Sequence, residues 1–398
     1  MKFVCEREKL ASALNFLNGV APKRSNLEVQ QNIYLVAASG TLVLSARNSE
    51  IAAAIELPLS DLSGDGNALI NAEKIARAVA SEKSDRLEFT IDEQKATAQT
   101  SRSKFEFALA NDRFAEVPKI DRQQTVYQIA VADLRDAVNR VKNCVGNESS
   151  GRIVFSGICL NITGDGTQSR IDFVASDGKR MAIVNKPINA VAKGKENKGT
   201  EIQVVVPPRG LIDLLKLCDS EGRGSEGNSK ATEGGAPAEA VIDLQLNDNE
   251  LLAETSSGLR PSGAVFVARL LEGAYPNYRK VIPSEENITL VASRAELLDG
   301  LRLVGSFCPD GETPRVELNA ANDKLVLSAE SSIAQGRTEM AVKVTGGEMK
   351  MLYNCHYLLD ALTSMSGEEV TFSINNAEKP MKTVEGDFTC VLTPLSQR

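Results

Sequence analysis

The chain has a single histidine, His356, and no G-x-S-x-G, H-E-x-x-H or P-loop pattern. Hydrolytic and phosphoryl-transfer sites commonly need such constellations, so enzymatic readings lose ground at once. Its seven cysteines (Cys5, Cys144, Cys159, Cys218, Cys308, Cys355, Cys390) are odd in number, scattered and never spaced C-x-x-C. That argues against a zinc site or a disulfide framework and predicts reduced thiols, with no metal and no cofactor. No apolar run approaches the roughly 18 residues of a membrane span. The opening MKFVCEREKL carries charge within ten positions and lacks the apolar core of a signal peptide, so a cytoplasmic protein is expected. Positive charge is also in deficit: 45 Lys and Arg against 53 Asp and Glu leave a net charge of -8. On its face this speaks against nucleic-acid binding, although a large protein can be acidic outside and basic along one surface.

What is present is repetition. At 398 residues, 42% hydrophobic and 25% charged, the chain fits a soluble globular protein of two or three domains. Three helix-like segments look alike: EREKLASALNFLNGV (6–20), AVADLRDAVNRVKNCV (130–145) and ASRAELLDGLRLVGSF (292–307). In the second, Leu134, Ala137, Val138, Val141 and Val145 form an apolar stripe, opposite Arg135, Asn139, Arg140 and Lys142. A second helix follows in each unit, at 72–83, 208–220 and 357–365, with the related strands GTLVLSARN, SRIDFVASD and DKLVLSAES lying between. The order helix, strands, helix, strands recurs three times. It predicts an α+β fold of three similar domains, 1–121, 122–284 and 285–398, each with two helices on antiparallel sheet. The middle unit is lengthened by 219–240, a Gly, Ser and Glu-rich stretch with no apolar residue larger than alanine, which is expected to be a disordered surface loop.

The stretch FVASDGKRMAIV (173–184) places Asp177-Gly178, a strong turn signal, between apolar flanks. Read locally, it is a hairpin. Together with LLEGAYPNYRKVIP (270–283), YNCHYLLDAL (353–362) and VLTPL (391–395), it resembles the signature stretches of the bacterial DNA polymerase III beta subunit family, the sliding clamps. The resemblance extends to MKFVCERE at the start and covers the chain apart from 219–240.

The resemblance implies a head-to-tail homodimer that closes a ring of six domains, with helices lining the hole around duplex DNA and sheets forming the outer wall. Such a ring holds DNA by topology and needs only a moderately basic lumen, which reconciles clamp function with the acidic net charge. Candidate DNA-facing residues are Arg24, Lys74, Arg77, Arg135, Arg140 and Arg152, of which Arg24 and Arg152 match family positions near DNA. Phe105 and Phe107 match the edge-strand positions of the dimer interface. The implied partners are a clamp loader, the DNA polymerase III alpha subunit and other proteins carrying a clamp-binding linear motif.

Matched residue by residue, the socket for that motif would comprise Phe155, Ser176, Gly178, Lys179, Arg180 and Met181 from the middle domain, Pro276, Lys280 and Val281 from the segment after it, and Tyr357, Thr393, Pro394 and Leu395 from the third. Two departures stand out. Lys179 occupies the place of the family's usual His, and Thr393-Pro394-Leu395 followed by SQR replaces the usual Met-Pro-Met-Arg-Leu terminus. Two other readings compete: a repeat scaffold that binds peptides without DNA, and a hydrolase using His356 with Asp360.

Overall fold

A computed structural model describes residues 1–147, 152–164, 169–191, 201–219, 240–256, 259, 263–309 and 311–396. Most of the insert at 219–240 lies outside the described residues. The first third of the chain runs β1 (Lys2–Glu6), α1 (Arg7–Val20), β2 (Asn32–Ala38), β3 (Thr41–Arg47), β4 (Ile51–Pro58), β5 (Asp61–Ser63), β6 (Gly66–Asn71), α2 (Ala72–Ser81), β7 (Arg86–Ile91), β8 (Lys95–Gln99) and β9 (Lys104–Ala108). The second runs β10 (Val126–Ala130), α3 (Val131–Val141), β11 (Ile158–Gly164), β12 (Ser169–Ser176), β13 (Arg180–Val191), β14 (Ile202–Val206), α4 (Pro208–Asp219), β15 (Val241–Leu246), β16 (Glu250–Thr255) and β17 (Val265–Arg269). The third runs β18 (Ile288–Ser293), α5 (Arg294–Gly305), β19 (Arg315–Ala321), β20 (Lys324–Glu330), β21 (Gln335–Ala341), β22 (Lys343–Thr345), β23 (Met349–Asn354), α6 (Cys355–Thr363), β24 (Glu369–Ile374), β25 (Met381–Glu385) and β26 (Phe388–Leu392).

Each third holds two antiparallel sheets. In the first, β1, β7, β8 and β9 make one sheet and β6, β2, β3 and β4 the other. Strand alternation decides which way each side chain faces. Phe173, Ala175, Ala182 and Val184 of β12 and β13 turn into the large core shared with Leu134, Ala137, Val138 and Val141 of α3, while Val174, Met181 and Ile183 turn to the opposite face. Helices thus occupy one face of the layer, and the other is left for loops.

Successive units are joined edge to edge. β4 pairs antiparallel with β17, matching Ala52 with Val267 and Ala53 with Phe266. β13 pairs antiparallel with β26, matching Met181 with Val391 and Val184 with Phe388. Three helices, α2, α5 and α6, begin at capping side chains: those of Asn71, Ser293 and Asn354 accept from the N–H groups of Lys74, Glu296 and His356 at 3.1, 3.4 and 2.9 Å.

Candidate functional site

The hairpin at 177–180 is a hub. Asp177 Oδ1 accepts from the N–H groups of Lys179 and Arg180, both at 2.9 Å, and Gly178 takes φ +85°, which suits a residue without Cβ. Ser176 Oγ donates to the Arg180 carbonyl at 2.8 Å and accepts from Gly178 N–H at 3.1 Å. Thr393 N–H, just beyond β26, donates to the Lys179 carbonyl at 2.9 Å. The turn therefore has a fixed shape and ties the second third of the chain to the third.

Beside it, on the face away from the helices, opens a cavity of about 240 Å³ lined by Phe155, Met181, Tyr275, Pro276, Tyr278, Val281 and Val391, with Arg152, Ser176, Gly178, Lys179, Arg180 and Thr393 around them. Its floor continues into a buried apolar cluster with Val154, Cys159, Val174 and Ile183. The Phe155 ring meets Tyr275 edge-on at 5.7 Å, and burial pushes the Tyr275 phenol's pKa up. A larger groove, of about 610 Å³ between α1 and α4, is lined by Phe16, Val20 and Ile212 together with the charged groups Arg209, Asp213, Lys216 and Asp219. The 240 Å³ cavity combines apolar walls with convergent polar groups, as small-ligand and peptide sites do, and it lies beside the turn that the resemblance singled out.

Arg180 forms one wall. Its guanidinium donates to Asp360 Oδ2 at 2.6 Å, to Asp177 Oδ2 at 3.1 Å and to the Asn143 carbonyl, and it lies over the Tyr357 ring at 4.2 Å. Burial opposes its charge, yet the hydrogen bond to Asp360 and the two carboxylates outweigh that, and its pKa is raised. The pairing also answers the hydrolase reading: Asp360 is engaged by Arg180, and His356 is an exposed residue in the first turn of α6.

Of the thirteen socket residues expected from the sequence, the cavity gathers Phe155, Ser176, Gly178, Lys179, Arg180, Met181, Pro276, Val281 and Thr393. Tyr357 stands behind Arg180, whereas Lys280 is exposed and outside the lining. Pro394 and Leu395 are also outside it, and Leu395 N–H is bound to the Leu352 carbonyl at 2.7 Å. Sequence reasoning missed Tyr275, Tyr278 and Val391. The outward alternation Val174, Ser176 and Met181, Ile183 across the hairpin was the available signal for a floor at this place.

Two expected DNA-facing residues are placed elsewhere. Arg140 does not project as a free cation, because it donates to Glu385 at 2.7 Å, Asp387 at 3.0 Å and the Ser364 carbonyl at 2.8 Å, with its guanidinium 4.5 Å above the Phe388 ring. It fastens α3 to the last third of the chain, beside Lys186, which bridges Asp136 at 2.7 Å and Asp387 at 2.6 Å. Arg152 lines the cavity, 5.8 Å from the Phe155 ring centre. Arg24 and Lys74 are exposed, Arg77 pairs with Glu73 at 2.8 Å, and Arg135 makes a two-pronged contact with Asp219 at 2.7 and 2.9 Å. Phe105 and Phe107 are half-buried on β9, at the edge of their sheet.

Comparison with known proteins accounts for this arrangement. The family model for the DNA polymerase III beta subunit, N-terminal domain, matches residues 1–120, and that for its C-terminal domain matches 279–393, together more than half of the chain. The chain is similar to the beta sliding clamp of Synechococcus elongatus, 23% identical over 386 residues that cover 96% of this chain and 94% of the relative. It is likewise similar to the beta sliding clamp of Proteus mirabilis, 25% identical over 392 residues, with 95% and 94% covered. The DNA polymerase III subunit beta from Pseudomonas aeruginosa shares the fold, with a TM-score of 0.84 at 22% identity over 99% of this chain and 100% of that one. The DNA polymerase sliding clamp from Bacillus subtilis does so at 0.83 and 18% identity, over 100% of both chains. With two domain models of one subunit matched in chain order and the fold in common, the chain belongs to the DNA polymerase III beta subunit family, the non-catalytic sliding clamps.

Proposed function

We propose that this protein works as a DNA sliding clamp: a ring that encircles duplex DNA and, through the cavity beside Arg180, tethers the replicative polymerase and other DNA-processing proteins. The observation that carries the ring is a pairing left incomplete. Three hairpins close alike, with Asn48, Asp177 and Ser331 donating backbone N–H to the carbonyls of Ile51, Arg180 and Ala334 at 2.8, 3.3 and 2.8 Å. The strands that follow, β4, β13 and β21, are therefore equivalent edges. β4 is covered by β17 and β13 by β26, but β21 ends its sheet uncovered, as does β9, the counterpart of β17 and β26.

Uncovered edges are association sites. Supplying β9 of one protomer to β21 of the next completes the series head to tail, and two three-unit crescents close it. Carrying over the register of β4 and β17 sets Phe105 opposite Gly336 and Phe107 opposite Ala334. The divisions 1–121, 122–284 and 285–398 give the repeating units. The six helices then face the hole, with Arg24, Lys74, Arg77 and Arg135 offered to phosphates, while Arg140 and Arg152 serve the junction and the cavity.

In the cavity, a linear motif with Leu and Phe anchors buries about 2–3 kcal/mol per anchor before ordering costs, which suits micromolar, exchangeable binding. The DNA polymerase III alpha subunit and a clamp loader are the expected partners, in the cytoplasm. Tethering raises the polymerase's effective concentration at the primer end without chemistry by the clamp.

The ring is tested by sedimentation equilibrium on the chain and on Gly336→Val. A Cβ at Gly336 would lie 2.3 Å from the Phe307 ring, so the branched side chain must displace that ring and disturb the β21 edge that β9 would pair with. A dimer that becomes a folded monomer on substitution is expected; a native monomer, or a variant that stays dimeric, would overturn this closure.

A further inference from the structure

We infer that Asp172, a residue outside the cavity lining, is a positioning residue that fixes one wall of the cavity through Tyr278 and Arg279, and so sets affinity for the linear motif. The inference rests on the socket reading above and deepens it. The wall in question is the short helical turn Tyr278–Val281, which brings Tyr278 and Val281 to the cavity with Pro276 just before it. Tyr278 is buried in the apolar cluster at the start of this turn, but Val281 at its end is 53% exposed, so apolar packing alone leaves the orientation of the turn underdetermined.

A polar lock fixes it. Asp172, buried on β12, accepts from Tyr278 Oη at 2.6 Å, from Arg279 Nη2 at 2.9 Å and from the Asn185 side-chain amide. Asn161, on the adjoining strand, donates to Tyr278 Oη and to Glu201 at 2.9 Å each, and Arg279 Nη1 donates to Glu201 at 2.9 Å. The lock has a cost, since Asn161 Oδ1 is buried and finds no partner among the described residues.

The first unit shows that its fold does not need this lock. Asp172 pairs across strands with Asn161 and Asn185; the matching positions, with Val43 central, are Val36 and Glu56. The segment above them carries Val117 where Tyr278 would stand, and Ile120 is buried into the junction. Both layers border a cavity, of about 180 Å³ over Val36, Val43 and Glu56 and of about 240 Å³ beside Met181, and the buried acid with two amides occurs only where the segment's last valine, Val281, stands exposed at the mouth. Its role is to hold a wall that must stay in place without being covered.

The test is binding of a fluorescein-labelled hexapeptide with Leu and Phe anchors to the full chain, read by anisotropy, for the native protein, Asp172→Asn, Tyr278→Phe and the double variant. Native binding, about fivefold weaker for each single variant, with the double no weaker than the worse single, is expected, because both substitutions open one lock. Ile162→Val, a core change in the same unit, controls for lost stability: it should lower the melting temperature and leave the Kd unchanged. Should Asp172→Asn fail to fold, Tyr278→Phe, which removes one hydroxyl, carries the test. Native affinity in both single variants, or an equal loss in Ile162→Val, would overturn the positioning role while leaving the socket standing. No binding by the native protein would remove the socket reading and this inference with it.

Discussion

At the junction of β4 with β17, Ile120 is 8% exposed and packs with Ala52, Val126, Leu252, Val265 and Val267. At the junction of β13 with β26, Met181 and Val391 take the places of Ala52 and Val267. The spacing from Phe266 to Val281 repeats that from Phe105 to Ile120, yet Val281 is 53% exposed at the mouth of a cavity. The same strand pairing thus yields one junction where the connecting segment buries its isoleucine and leaves a cavity of about 180 Å³ beside Val43 and Val117, and another where the matching valine stays exposed over a cavity of about 240 Å³. Edge pairing holds the units together; whether the connecting segment lies down or is held aside decides where a partner can enter.

The largest expected effect separates the two junctions directly. Ile120→Asp puts a charge into a buried apolar contact and should cost about 3 kcal/mol or more, seen as a large drop in the urea midpoint. Val281→Asp should leave that midpoint near native and weaken a Leu and Phe anchored peptide tenfold or more by anisotropy. Similar losses of stability at both positions would erase the distinction.

Arg180 sharpens it further, because its counterpart by hairpin position is Ile51, an apolar buried residue. Arg180→Ala leaves Asp360 and Asp177 without their shared cation and should cost about 2–3 kcal/mol by equilibrium unfolding. Arg180→Lys should restore only part of this, since an ammonium cannot span both carboxylates and stack on Tyr357. Full recovery with Lys would reduce Arg180 to a point charge.

The smallest effect concerns the edge left for a second protomer. On β9, hydrogen bonds from Lys104 and Lys95 and their charges hold the Glu106 carboxyl down at about 2. A carboxylate with a depressed folded pKa contributes stability that is present above its ordinary value of 4.5 and is lost as pH falls toward about 2. Glu106 is fully exposed, so screening keeps the contribution small. Native protein and Glu106→Gln should therefore differ slightly in melting temperature at pH 7 and converge near pH 2; a gap that widens on acidification would contradict the sign.

The repeat was legible because it is written in local spacing. The stripe Leu134, Ala137, Val138, Val141 needs only helix periodicity, and the six helices lie within a few residues of the segments read from the sequence. The turn at Asp177-Gly178 was legible for the same reason. What stayed hidden depends on groups far apart in the chain. Nothing near Arg140 or Arg180 in the sequence discloses Glu385, Asp387 or Asp360, so cations on helix and hairpin looked free for DNA or for the rim. Asp172 likewise gains its meaning only when β12 is brought under Tyr278. Leu395, placed in the socket by resemblance, lies outside the cavity lining, with its backbone N–H on the Leu352 carbonyl.

The central claim, that the protein holds DNA by encircling it, is tested most directly by loading it with its cognate clamp loader onto nicked circular plasmid, isolating the complex at high salt and then linearising the DNA. Screened phosphate contacts do not survive high salt, whereas a threaded ring does until it meets a free end. Retention on the circle and loss after cutting is the predicted result. Loss from circle and linear DNA alike would contradict the account and leave a peptide-binding scaffold in its place.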